Sequence, residues 1–392
     1  MTDWITTTIE PWLLRGACDL ERTEHGLLPH RLPGWARAQF PDERAHLVEA
    51  MPTGVRLAFR TRATAVELDV LATTAVYGEA RPGVYELFVD GRLAAHTSVS
   101  GGNRVLFDPT TGAVDFRPGS VGTARFDGLS RGDKQVEIWL PHSDRVELVA
   151  LRTDAPVTAA AADKRPVWVH HGSSISHGAN AERPTGTWPA VAAARGGVDL
   201  INLSLRGNSL LDPFMARTIR DTPADLISLK IGINIVNCDL MRLRAFAPAV
   251  HGFLDTIRET HATTPLLVVS PILCPAFEDT PGPGVPDVGT GRLLFRAIGN
   301  PADVASGTLT LTVVRKELSD IVSRRAATDP NLHYLDGLTL YGESDHAELP
   351  LPDALHPDSA IHQRMGERFA DRVFASGGPF APAVAVDSRR AG

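Results

Sequence analysis

The sequence predicts two fold classes in succession: an all-β sandwich of jelly-roll type, then an α/β domain built on a parallel sheet. Three observations carry this reading. Up to about residue 160, short apolar runs alternate with polar residues at period two; beyond it, strand-like runs alternate with helix-like ones. Between the two regimes, Thr153–Asp163 shows no apolar period and reads as a linker. The expected domains are residues 1–155 and 167–380, joined by a linker at 156–166.

In the first region, Val55, Leu57 and Phe59 alternate with Arg56 and Arg60, and Val66, Leu68 and Val70 alternate with Glu67 and Asp69. Val136, Ile138 and Leu140 repeat the pattern, and Val146 and Leu148 follow a turn at Pro141–Asp144. Period-two alternation buries one face and wets the other, as in an antiparallel sheet. Asp90-Gly91, between Val84–Val89 and Leu93–Val99, marks a two-residue hairpin, because Gly tolerates the positive φ such a turn requires. Short strands separated by turns at this density suit a sandwich.

The second region opens with a strand at Val167–His170 and a helix at Trp188–Ala194. A strand follows at Leu200–Leu203, then an amphipathic helix at Leu210–Arg220 with Leu211, Phe214 and Ile219 inward. Next come strand Leu226–Ile231, helix Leu243–Thr260 and strand Leu266–Ser270. Helix Leu309–Ala326, strand Leu332–Leu335 and helix Ile361–Phe374 complete the series. Strands joined by right-handed helical crossovers form a parallel sheet covered on both faces, a three-layer α/β/α sandwich. Its site lies beyond the carboxyl ends of the strands. Between Phe277 and Ser306 run Pro281, Gly282, Pro283, Gly284, Pro286, Gly289, Gly291, Gly299 and Pro301, an expected irregular loop. It reads either as a lid over the site, the version preferred here, or as plain disorder.

Composition narrows the function. The 392 residues are 43% hydrophobic, which supplies a sizeable core. A net charge of −7 with no basic stripe argues against nucleic acid as partner. No apolar run reaches the about 18 residues a membrane span needs. The first residues carry no cationic stretch followed by an apolar run, so no signal peptide is read. Cys18, Cys238 and Cys274 lie far apart without metal-type spacing, which suits a reducing cytoplasm.

The chemistry is concentrated at four strand ends. The first strand stops in Gly172-Ser173-Ser174-Ile175, placing a small hydroxyl residue where a helix can begin and free N–H groups can steady an oxyanion. Leu203-Ser-Leu-Arg-Gly207-Asn208 follows the second strand, and Lys230-Ile-Gly232-Ile233-Asn234 ends the third. Asp353-Ala-Leu-His356-Pro357 precedes the last helix. Acyl transfer needs a nucleophile, a base, an orienter for the base and oxyanion donors. Every role has a candidate.

These four elements resemble blocks I, II, III and V of the SGNH, or GDSL, hydrolase superfamily over about residues 167–374. The resemblance implies Ser174 as nucleophile, His356 as general base and Asp353 as its orienting carboxylate. It implies oxyanion donation by the N–H groups of Ser174 and Gly207 and by the side-chain amide of Asn234. Where the family has Gly-Asp-Ser-Leu this chain has Gly172-Ser173-Ser174-Ile175, so Ser173 replaces an acid that helps fix the loop. The first half, including Leu27–Phe40, resembles a subgroup of bacterial GDSL proteins with an added β-sandwich, similar to actinomycete acyltransferases that acylate a hydroxyl of a tetracycline-type polyketide. That resemblance implies natural-product tailoring with no bound cofactor, an acyl thioester (acyl-CoA or a carrier protein) as donor and a small hydroxyl compound as acceptor.

Other readings compete. His170, His171 and His177 crowd Ser174, but their spacing is not that of a metal site, and they read as wall residues or hydrogen bonders behind it. His346 and His362 rival His356, and Asp358 rivals Asp353, although an Asp just before a helix is a good N-cap. Trp139 and Trp188 read as core aromatics, and Asn237 as a polar wall group or a helix cap. Three functions remain: an esterase acting on a small molecule or sugar, an O-acyltransferase using the same serine, and a carbohydrate-binding protein with an inactive α/β domain. The full set of catalytic candidates counts against the last.

Overall fold

Period-two burial organises the first of two units, which runs to Asp163 and also contains Glu182–Thr185. The structure, a computed structural model, describes residues 3–40, 43–76, 82–107, 113–287, 289 and 293–381. In the first unit β1 is Arg56–Thr61, β2 Val66–Val76, β3 Val84–Val89, β4 Arg92–Ser98, β5 Asn103–Phe107, β6 Lys134–Trp139, β7 Asp144–Thr153 and β8 Val157–Ala159. One sheet has the order β8–β1–β6–β3–β4. The other runs from Val114–Arg117 through β5, β2 and β7 to Leu27–His30 and Asp19–Arg22.

Leu57, Phe59 and Ile138 from the first sheet and Leu68, Val70 and Val146 from the second are buried in one core. Each such side chain stabilises by about 1.5–3 kcal/mol. A one-residue register slip would turn the whole row to solvent and is strongly disfavoured. Asp90 and Gly91 adopt φ of +48° and +77°, and β3 and β4 pair antiparallel around them. Two features depart from expectation. The β2–β5 pair is parallel, because the chain travels through β3 and β4 in the other sheet before returning. Val157–Ala159, read as linker, adds to the edge of β1, and three residues are too few to display a period.

The second unit takes Lys164–Ala181 and resumes at Gly186. It begins with β9 (Val167–Gly172), α1 (Ser174–His177), α2 (Trp188–Gly196), β10 (Asp199–Asn202) and α3 (Pro213–Asp221). Then come β11 (Leu226–Lys230), α4 (Ile233–Asn237), α5 (Leu243–Arg258) and β12 (Leu266–Val269). The hairpin strands β13 (Gly284–Asp287) and β14 (Leu294–Ala297) precede α6 (Leu311–Arg325), β15 (Leu332–Leu335) and α7 (Ser359–Val373). The sheet order is β10–β9–β11–β12–β15, and all four pairings are parallel.

Alternation along β9 shows both faces covered. Trp168 stacks on Phe369 of α7, and His170 meets Trp188 of α2 edge-on. The next residue, His171, stacks on Phe253 of α5 from the other side. The sheet therefore lies between two helical layers, as predicted. Helix α3 starts at Pro213 rather than Leu210, since Leu211 has φ +63° and Pro213 pre-sets the first helical turn. The stretch from Phe277 to Ser306 is not an irregular loop: β13 and β14 pair antiparallel, and Pro301–Ser306 is a 3₁₀ helix. Four-residue strands, one carrying Pro286, leave no readable period. Residues 288 and 290–292, Gly291 among them, lie outside the described residues. Among the described residues no helix is long and apolar enough to cross a membrane.

Candidate active site

Strand β9 ends at Gly172, and the chain turns at once into α1. Ser173 is the N-cap, its side chain accepting from the N–H of Ile175 at 3.4 Å. The serine that stands where the related motif has an acid thus still supplies the cap a helix start requires. Ser174 is the first helical residue and is 8% exposed. Gly178, at φ +114°, closes the turn in a conformation that favours glycine.

The loop before α7 brings in the partners of Ser174. His356 Nε2 lies 2.9 Å from Ser174 Oγ. His356 Nδ1 donates to Asp353 Oδ2 at 2.8 Å, which leaves Nε2 unprotonated and able to accept the serine O–H. Asp353 Oδ1 accepts the backbone N–H groups of His356 and Leu355 at 2.6 and 3.0 Å. Burial pushes the Asp353 carboxyl up, but the His356 hydrogen bond and charge and the two backbone N–H groups outweigh it, holding the acid below its usual range.

The oxyanion candidates sit on the neighbouring strand ends. Leu205 N–H donates to Gly172 O at 2.9 Å, tying the loop after β10 to the end of β9. Asn208 N–H closes a turn on Leu205 O, with Gly207 inside it at φ +70°. Gly232, at φ +127°, starts the short α4 that carries Asn234. The 3% exposed Asn234 accepts the Ser209 N–H through Oδ1 at 3.2 Å, which leaves its Nδ2 as the donor. Ser209 is fixed in turn: its Oγ lies 3.2 Å from His171 Nε2, while His171 Nδ1 donates to Leu203 O at 2.9 Å. The amide orientation of Asn234 therefore depends on a buried serine and histidine behind it.

The rival residues lie elsewhere. His170 Nδ1 bonds Ser228 Oγ, His177 Nδ1 bonds Ser204 O, and buried His362 bonds Ala179 O. Burial pushes the His362 imidazole down to about 4. His346 bonds the Tyr341 hydroxyl. Asp358 caps α7 through the Ile361 N–H. Trp188 is fully buried, and Arg56 lies over the Trp139 ring. Asn237 ends α4 and accepts the Cys238 thiol. Among the described residues no group of three His, Cys, Asp or Glu is placed to hold a metal.

Two neighbours of the His356–Asp353 pair were missed in the sequence, besides Ser209 behind Asn234. Phe295 of β14 donates its N–H to Asp353 O at 2.9 Å, and its ring meets the His356 ring edge-on at 5.5 Å. Asn180 donates its side-chain amide to Asp353 Oδ2 at 3.2 Å. Neither has a local signature, because both contacts are long-range. An Asn two residues past a glycine turn is the only hint the sequence offers.

A parallel sheet sheathed by helices, with a strand-end serine bonded to a histidine–aspartate pair, defines a serine acyl hydrolase or acyltransferase. Residues 171–364 match the GDSL-like lipase/acylhydrolase family, and residues 13–149 match the SsfX3 N-terminal domain. The chain belongs to the GDSL-like lipase/acylhydrolase family. It is 30% identical to the salicylyl-acyltransferase SsfX3 from a tetracycline biosynthetic pathway, with a TM-score of 0.75 over 93% of this chain and 95% of that one. A protein of Bacteroides ovatus described as a GDSL-like lipase shares the fold at 17% identity, TM-score 0.66, over 99% of this chain and 98% of that one. A family two carbohydrate esterase from Clostridium thermocellum does so at 13% identity, TM-score 0.55, over 81% and 91%. No curated protein sequence matches the chain.

Proposed function

We propose that this enzyme is an O-acyltransferase that passes an acyl group through Ser174 to a hydroxyl of a small polyketide-like natural product. The observation that carries the reading is the 2.9 Å approach of Ser174 Oγ to His356 Nε2. His356 takes the serine proton as Oγ attacks the acyl carbonyl, and Asp353 stabilises the imidazolium that forms. The N–H groups of Ser174 and Gly207 and the Asn234 amide steady the tetrahedral oxyanion. Collapse expels the donor's leaving group, to which His356 returns the proton, and leaves acyl-Ser174. The acceptor hydroxyl gives its proton to His356 as it attacks the ester carbonyl, and collapse breaks the bond to Ser174 Oγ, which takes that proton back from His356 while the acylated acceptor departs.

Likeness to the salicylyl-acyltransferase across most of both chains supports transfer to a polyketide hydroxyl. The donor fitting this chemistry is an acyl thioester, acyl-CoA or an acyl carrier protein, whose thiol leaves readily. Such donors belong to the cytoplasm, which also suits Cys18, Cys238 and Cys274, none of which is joined in a disulfide. The complete serine–histidine–aspartate chain speaks against a catalytically dead binding protein.

The test is product partition. Incubation with an aryl-acyl thioester and a panel of polyketide and sugar acceptors should give acylated acceptor in preference to free acid. Free acid alone with every acceptor would make the protein an esterase.

A further inference from the structure

Asn180 lies past the end of α1, exposed to solvent, with φ +64°. Its Nδ2 donates to Asp353 Oδ2 at 3.2 Å across 173 positions of sequence. The same oxygen accepts the His356 Nδ1–H at 2.8 Å. Asp353 thus receives two N–H groups on each oxygen, three from its own loop and one from Asn180. Only Asn180 comes from the segment that carries Ser174.

Building on the reading of Ser174, His356 and Asp353 given above, we infer that Asn180 is a positioning residue for the base. It anchors the Asp353 loop to the nucleophile's segment, and it draws on the charge of the oxygen that holds the imidazole. A carboxylate oxygen shared between two donors stabilises an imidazolium less than one left to a single donor. Asn180 therefore weakens the hold of that oxygen on the imidazolium relative to the neutral imidazole that acts as base.

The other titratable and charged groups on the neighbouring elements are common to any Asn180 variant. Cys274, from the loop after β12, contacts Ala354 O at 3.3 Å, and burial pushes its thiol up to about 12. His362, on α7, is pushed down to about 4 by burial. Asp358 caps α7, and Arg296 on β14 pairs with Asp287. Lys230, at the end of β11, is pushed down to about 7 by burial and by the charge of Arg315.

Two variants isolate the effect without straining the backbone. Asn180→Gly removes the amide and accepts a positive φ; Asn180→Asp keeps shape and reach but substitutes a negative charge. The readout is the rate of Ser174 modification by a fluorophosphonate, measured against pH on the full chain. The midpoint of the acid-side loss should rise by a few tenths of a pH unit in Asn180→Gly and by about one unit in Asn180→Asp. Rates lowered equally at every pH, with both midpoints unmoved, would mean a merely structural contact and overturn the inference. Wild-type protein left unlabelled at Ser174 would instead overturn the reading beneath it, and this inference with it.

Discussion

Asp353 holds His356 twice: Oδ2 accepts the imidazole Nδ1–H at 2.8 Å, and Oδ1 accepts the backbone N–H of the same residue at 2.6 Å. The second bond orients the carboxylate, and the first selects the tautomer that leaves Nε2 free for Ser174. Asp353→Asn should keep the loop bond but present an amide that disfavours this tautomer. Turnover of an activated ester should fall by about 10⁴. A loss of less than tenfold would remove Asp353 from the mechanism.

Asn234 should matter to the transition state rather than to binding. Its Oδ1 is committed to Ser209, so only Nδ2 is left to donate. Asn234→Ala should lower kcat by about 10²–10³ with KM nearly unchanged. Steady-state kinetics on p-nitrophenyl acetate decides this, and a rise in KM alone would assign Asn234 to substrate binding.

Two loop glycines should respond unequally to alanine. At Gly207, φ is +70° and an added Cβ meets nothing within 4 Å, so the cost is backbone strain of about 1–2 kcal/mol. At Gly232, φ is +127° and the Cβ would lie 2.6 Å from Val314 Cγ1 and 2.9 Å from Pro271 Cγ. Overpacking adds about 1–3 kcal/mol to the strain there. Urea midpoints should therefore rank wild type above Gly207→Ala and Gly207→Ala above Gly232→Ala.

Buried Lys230 predicts a pH-dependent stability. Burial and the Arg315 charge push its ammonium down to about 7, against about 10.4 in the unfolded chain. Between these values the unfolded state binds more protons, so this group's contribution to stability rises with pH from about 7 to about 10. Lys230→Met should raise the unfolding temperature most at and below pH 7, and its advantage should shrink toward pH 10. An advantage independent of pH would show that the amine is not the source.

The fold was legible wherever burial is periodic. Leu57, Phe59, Leu68 and Val70 announced their sheets because every second residue enters one core. The succession of strand and helix announced the parallel sheet. Ser174, His356, Asp353, Gly207 and Asn234 were legible as candidates because each follows a strand end or precedes a helix with a distinctive residue type. Asn180, Phe295 and Ser209 were not. Their significance lies in contacts with Asp353, His356 and Asn234 that no local period encodes. The β13–β14 hairpin was hidden by its short strands and its prolines, which read as punctuation.

The central claim, that Ser174 is activated by His356, is tested most directly by fluorophosphonate labelling with the modified peptide mapped by mass spectrometry. The account predicts one adduct, on Ser174, that vanishes in Ser174→Ala and forms far more slowly in His356→Ala. An adduct on another residue, or labelling of Ser174 at an unchanged rate without His356, would contradict it.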